Sequence, residues 1–205
     1  MNLIFNELFE RYPCLEVCKD DIYSAYEAMV SAYENGGKIL CCGNGGSAAD
    51  CDHLVGELMK GFLKKRPLSD EEKQALDDDF VSSNLQKGLF AFSLTAHAAL
   101  MTAYSNDAVS QLVFAQQVYA CGNKNDLLFA FSTSGNSENV VYAVKTAKAK
   151  GIVSVAVTGE KVSKLSEISD ICIRLPENET FKIQELTLPV YHCLAAMVED
   201  KFFAE

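Results

Sequence analysis

Apolar positions along the chain recur with two periods, and the alternation between them predicts the architecture. From Asp21 to Asn35 they recur at helical spacing and stop at Gly36-Gly37, a pair that ends helices because glycine accepts the left-handed turn of a C-terminus. Lys38-Ile-Leu-Cys-Cys42 then reads as a short buried strand, followed by a glycine-rich turn and a helix from about Ala48 to Phe62. The unit repeats. Leu89–Leu94, Asp126–Phe131, Ile152–Val157 and Asp170–Arg174 are further short apolar runs, with a helix through about Lys148 after the second of these and a long helix from about Phe181 to Phe203 at the end. Strands that are apolar on both faces and alternate with helices predict an α/β fold. This is a three-layer sandwich with a central parallel sheet flanked by helices, flavodoxin-like or Rossmann-like. In such sheets ligands bind outside the carboxyl ends of the strands.

The 205 residues, 49% of them hydrophobic, fit one domain spanning 1–205, with an N-terminal helical segment over about 1–36. Lys64 to Lys87 breaks the pattern. It is charged, it holds no strand signal, and Ser69-Asp70-Glu71-Glu72 reads as a helix start with acidic residues in the first turn. It is predicted to be a surface insertion over about 64–87, either a solvated excursion or a lid. A net charge of −10 argues against nucleic acid or an anionic membrane surface as partner. No apolar run approaches bilayer length, and no basic segment with an apolar run and small-residue cleavage site is evident. The eight cysteines lie largely in apolar stretches without metal-site spacing, so free thiols in a reducing cytoplasm are expected.

Two strand-to-helix loops carry the chemistry. Ser132-Thr133-Ser134-Gly135-Asn136-Ser137 sets hydroxyls and a flexible turn at a helix N-terminus, where free N–H groups and the helix dipole favour an anion. Taken alone, such a loop is equally an ordinary cap and turn. Asn44-Gly45-Gly46-Ser47, in the equivalent position, shifts the balance towards a phosphorylated ligand. Neither loop is a Walker A motif, and Gly43-Asn-Gly45-Gly46-Ser47 does not complete G-x-G-x-x-G because its sixth position is Ala48, so no nucleotide cofactor is expected.

Of the three histidines, His53 stands four residues before Glu57 on one helix face. The pair is either half of a divalent metal site or a surface hydrogen bond. Gln184 and His192 lie on roughly one side of the last helix, about 12 Å apart along its axis. A site assembled between subunits would ease that separation, so an oligomer is expected. His97, among small apolar residues, is expected to be packed rather than catalytic.

In order and spacing, Asn44-Gly-Gly-Ser47-Ala-Ala-Asp50, His53, Glu57, Asn106-Asp107, Ser132-Thr-Ser134-Gly-Asn-Ser137, Ile183-Gln184-Glu185 and His192 resemble the sedoheptulose-7-phosphate (phosphoheptose) isomerases of the sugar isomerase (SIS) fold. The resemblance covers nearly the whole chain except 64–87. It implies an aldose–ketose isomerase converting sedoheptulose 7-phosphate to D-glycero-D-manno-heptose 7-phosphate through an enediol. It further implies that Ser132, Thr133, Ser134 and Ser137 bind phosphate, that Asn44, Gly45, Gly46, Ser47, Asn106 and Asp107 line the sugar site, and that Glu57 and Gln184 also contact the substrate. His53, Glu57, Gln184 and His192 would hold one Zn2+ per subunit, and Glu57 and His192 would be the catalytic acid–base pair. A cytoplasmic homotetramer with sites at subunit boundaries is implied as well. The sequence departs from the family where many members have an acidic residue three positions before the glutamine, since here it is Phe181. The segment after Phe62 replaces one that carries an arginine near the sugar, and Lys60, Lys64 and Arg66 are the candidates to substitute for it. The same fold also includes non-catalytic sugar-phosphate sensors and a replication-initiator-associating adaptor. The adaptor lacks counterparts of Glu57 and His192, which favours the enzyme.

Overall fold

The computed structural model describes residues 3–203. Five strands form one parallel sheet in the order β2-β1-β3-β4-β5, from β1 (Ile39–Cys42), β2 (Ala91–Ser93), β3 (Leu127–Phe131), β4 (Val153–Gly159) and β5 (Ile171–Leu175). Every strand pairs in parallel, so each connection must cross a face of the sheet, and the crossovers supply the two outer layers.

The period-two alternation of the strands sorts their side chains between those layers. Ile39 and Cys41 of β1, with Leu127, Phe129 and Phe131 of β3, join one core cluster. Helices α1 (Leu3–Arg11), α2 (Lys19–Glu34), α3 (Gly46–Met59) and α10 (Thr180–Phe202) cover it. Leu40 and Cys42, with Leu128 and Ala130, face the other cluster, packed against α7 (Val113–Cys121), α8 (Glu138–Ala149) and α9 (Lys164–Ile168). All eight cysteines are free. Burial pushes the thiols of Cys18, Cys42 and Cys193 up to about 12, which keeps them protonated and unreactive at neutral pH. No described helix is long and apolar enough to cross a membrane.

Residues 64–87 form two short helices, α4 (Asp70–Leu76) and α5 (Asp79–Asn84). Ser69 opens α4 with a capping box, its hydroxyl accepting from the Glu72 N–H while the Glu72 carboxylate accepts from the Ser69 N–H. Neither helix anchors the excursion: α4 buries no residue and α5 only Ser82. The anchor is at its base, where Pro67 and Gln86 form an antiparallel bridge and the Lys87 N–H donates to the Arg66 carbonyl at 2.7 Å.

Candidate functional site

From β1 the chain crosses to β2 on one side and later to β3 on the other. The crevice at the carboxyl ends of β1 and β3 is therefore the topological switch point of the sheet, the place where open α/β sheets bind ligands. The two loops singled out in the sequence leave those two ends. They are bound to each other, because Asn44 and Asn139 exchange amide hydrogen bonds of 2.9 and 2.8 Å. Asn139, on the first turn of α8, carried no sequence signal, since its partner lies 95 residues away.

Gly45 caps α3 at φ +57°, ψ −119°, a conformation essentially closed to residues with a Cβ. In the second loop the Ser132 hydroxyl donates to that of Ser137 at 3.1 Å, and the Ser134 hydroxyl accepts from the Asn136 N–H at 3.2 Å. Ser137 precedes α8 without capping it through its side chain. The hydroxyls thus gather at a helix N-terminus whose dipole favours an anion. Gly135 holds the turn at φ +64°, and a Cβ there would stand 2.0 Å from the Ser163 hydroxyl oxygen and 2.5 Å from Ser163 Cβ. Gly135→Ala combines left-handed strain of about 1–2 kcal/mol with that clash. A lower urea midpoint at unchanged slope is the expected result.

Beside the crevice, α3 lies along α10. His53 Nε2 is 3.2 Å from Glu57 Oε1 and 3.3 Å from His192 Nε2. The other Glu57 oxygen accepts from Lys60 Nζ at 2.7 Å. On the far side of the His53 ring, Nδ1 is 2.9 Å from the Tyr191 hydroxyl, which also reaches Asp50 Oδ1 at 3.4 Å. Burial, and then the Asp50 charge, push the Tyr191 phenol well above its ordinary range. It is therefore protonated at neutral pH. Burial and then the neighbouring His53 lower the His192 pKa, outweighing the opposing pull of Glu57, so its imidazole is neutral. A cavity of about 390 Å³ opens next to His192, walled by Leu8, Arg11, Phe62 and Pro189.

The donor types suit a divalent cation, and so do two of the separations. Two donors on one tetrahedral zinc stand roughly 3.3 Å apart, close to both contacts of His53 Nε2. Among the described residues, however, no three His, Cys, Asp or Glu side chains enclose a common ion position as they stand. The recorded contacts all run through His53, and a side-chain rotation is needed to close the set. Gln184 is not part of the cluster. Its amide covers Gly46, where a Cβ would lie 2.4 Å from Gln184 Nε2, about two helical turns along α3 from His53.

Other sequence candidates fall elsewhere. Asn106 and Asp107 are the last residues of α6 (Ala98–Asp107), exposed and bonded to each other at 2.8 Å, away from the His53 cluster. His97 is exposed rather than packed, and stacks on Phe92 with ring centroids 4.8 Å apart. Arg66 does not serve as the missing sugar-site cation. It is 1% exposed and bonded to Glu199, with its other nitrogens donating to the carbonyls of Leu58 and Glu57. Lys64 pairs with Asp200. That leaves Lys60, in contact with Glu57, as the candidate beside the cluster. Phe181 is 55% exposed and carries no polar function.

Two SIS domain family profiles match consecutive parts of the chain, over residues 13–88 and 87–197. The phosphoheptose isomerase of Rhodospirillum rubrum is 37% identical over 184 residues, covering 89% of this chain and 87% of the relative. Among solved structures, the phosphoheptose isomerase from Francisella tularensis matches with a TM-score of 0.78 at 32% identity, covering 95% of this chain and 96% of that one. The phosphoheptose isomerase of Neisseria gonorrhoeae matches with a TM-score of 0.77 at 30% identity, covering 96% and 95%. The fold is common ground with these enzymes.

Proposed function

The chain belongs to the phosphoheptose isomerase family of SIS-domain proteins, and from that premise we propose that it interconverts sedoheptulose 7-phosphate and D-glycero-D-manno-heptose 7-phosphate in the cytoplasm. The observation that carries the reading is the meeting of Glu57, His53 and His192 beside the switch-point loops. The phosphate is held by Ser132, Thr133, Ser134 and Ser137 at the start of α8. Asn44, Gly45, Gly46 and Ser47 take the sugar hydroxyls, with Gln184 over the same loop. Thr133 and Ser134 share a small cavity with Ile183 of α10, and His192 lies nine residues further on, about 13 Å along the helix. That span suits an open-chain sugar phosphate laid along α10, phosphate at one end and reacting carbons at the other.

Moving the carbonyl between C2 and C1 requires that one carbon lose a proton and the other gain one. Glu57 is the group to carry it, since its carboxylate is mostly buried (13% exposed) and shielded from bulk water. His192, kept neutral by burial, can accept and return the proton that passes between O1 and O2. Zn2+ held by His53, Glu57 and His192 would polarise the carbonyl and stabilise the enediolate, while Gln184, about two helical turns away over Gly46, stays with the sugar loop.

A homo-oligomer, as a tetramer, is part of the same reading. Helix α6 buries no residue fully within the chain: Met101 and Tyr104 pack partly against the core, while Leu100 is left 43% exposed, as expected where another copy covers the outer face. Asn106 and Asp107, at the end of that helix, are then placed to serve a site at the subunit boundary.

The purified protein is expected to convert sedoheptulose 7-phosphate to an aldose, followed by NMR, and to lose turnover on chelation and regain it with added zinc. A folded protein that binds the sugar phosphate without turning it over would overturn the reading in favour of a sensor. Chelator-resistant turnover would remove the metal from it.

A further inference from the structure

We propose that Tyr191 and Asp50 are positioning residues that hold His53 as the Nδ1–H tautomer, with the Nε2 lone pair turned towards Glu57 and His192. The Tyr191 hydroxyl has two partners, Asp50 Oδ1 at 3.4 Å and His53 Nδ1 at 2.9 Å. A carboxylate only accepts, so the phenol proton goes to Asp50. The phenol oxygen is then left as acceptor, and Nδ1 must carry the proton that fills the 2.9 Å contact. The opposite nitrogen, Nε2, is thereby left with its lone pair.

The consequence falls on Glu57. Were Nε2 protonated, it would donate to Glu57 Oε1 across 3.2 Å and occupy the carboxylate needed for proton transfer. With the lone pair there instead, two acceptors face each other at hydrogen-bond distance. The arrangement is relieved by a cation between them, which is what a metal-binding imidazole requires of its outer neighbours. The relay is held rigidly, since Tyr191 is 1% exposed and its ring packs edge-on against Phe131. This inference rests on the isomerase reading only in taking His53 as a donor of the metal set.

The test uses metal-free protein, so that it is independent of turnover. Long-range proton–nitrogen correlation spectra of its three histidines report which ring nitrogen of each is protonated. Wild-type His53 is expected to show protonated Nδ1 and bare Nε2. Asp50→Ala should reverse the tautomer, because the phenol proton then turns to Nδ1. Tyr191→Phe, which keeps the packed ring, should give a mixture. Zinc affinity, measured by competition with a chromophoric chelator, should fall about 10–100-fold in Tyr191→Phe. A wild-type His53 protonated on Nε2, or a Tyr191→Phe protein with unchanged tautomer and zinc affinity, would overturn the proposal while leaving the isomerase assay to stand on its own result.

Discussion

Replacing Glu57 by glutamine is expected to lower kcat by about 10²–10⁴-fold while sugar-phosphate binding stays near that of wild type. Glutamine has the shape of glutamate and can still accept from Lys60 through its amide oxygen, but it cannot take up a proton at neutral pH. The proposed phosphate loop, Ser132 to Ser137, lies on a different strand end and is untouched by the change, so affinity has no reason to collapse. Because Glu57 is also a proposed metal donor, the assay belongs at saturating zinc. A loss that added zinc restores would assign Glu57 to the metal alone, whereas a loss that persists assigns it to proton transfer. A variant with wild-type kcat would remove Glu57 from the chemistry, and the acid–base pair with it.

The parts of the structure legible in the sequence are those written in local patterns. All five strands fall within two residues of their expected limits, since a run such as Leu127–Phe131 buried on both faces can only be continuously apolar. The start of α4 at Ser69 followed from a capping box, and the two loops from their glycines and hydroxyls. Both long helices around the site, α3 and α10, were also visible. Contacts between distant segments were not. The Asn44–Asn139 pair and the Asp50–Tyr191–His53 relay join residues that have no reason to be read together, and Tyr191 in an apolar helix looks like core. Helix α7 escaped because Val113–Cys121 is nearly apolar all round, with buried Gln117 supplying no outward face.

Arg66 shows the same limit from the other direction, because an arginine in a charged stretch looks solvated and this one is fully buried. Truncating its partner, Glu199→Ala, is expected to destabilise the fold by about 3–5 kcal/mol, the usual cost of leaving a buried charge without its counterion. Glu199 accepts from Arg66 Nε at 2.8 Å and also from the backbone N–H groups of Phe62, Leu63 and Lys64. Burial alone would raise the Glu199 pKa, yet these donors pull it below its ordinary value, so the carboxylate is charged in the fold. A group with a depressed folded pKa gives stability above its unfolded pKa and loses it as pH falls through the folded value, so the difference between wild type and Glu199→Ala should narrow in acid. Replacing both partners, Arg66→Met with Glu199→Leu, removes the unpaired charge but still strands three N–H groups, and should recover only part of the loss. Urea unfolding of wild type and the two variants separates these terms. The cost should reach the active site too, because Arg66 donates to the carbonyls of Leu58 at 2.6 Å and Glu57 at 3.2 Å and so fixes the last turn of α3. Full recovery in the double variant would mean that the backbone bonds contribute little, and that the root of the insertion is held by packing against Phe203 instead.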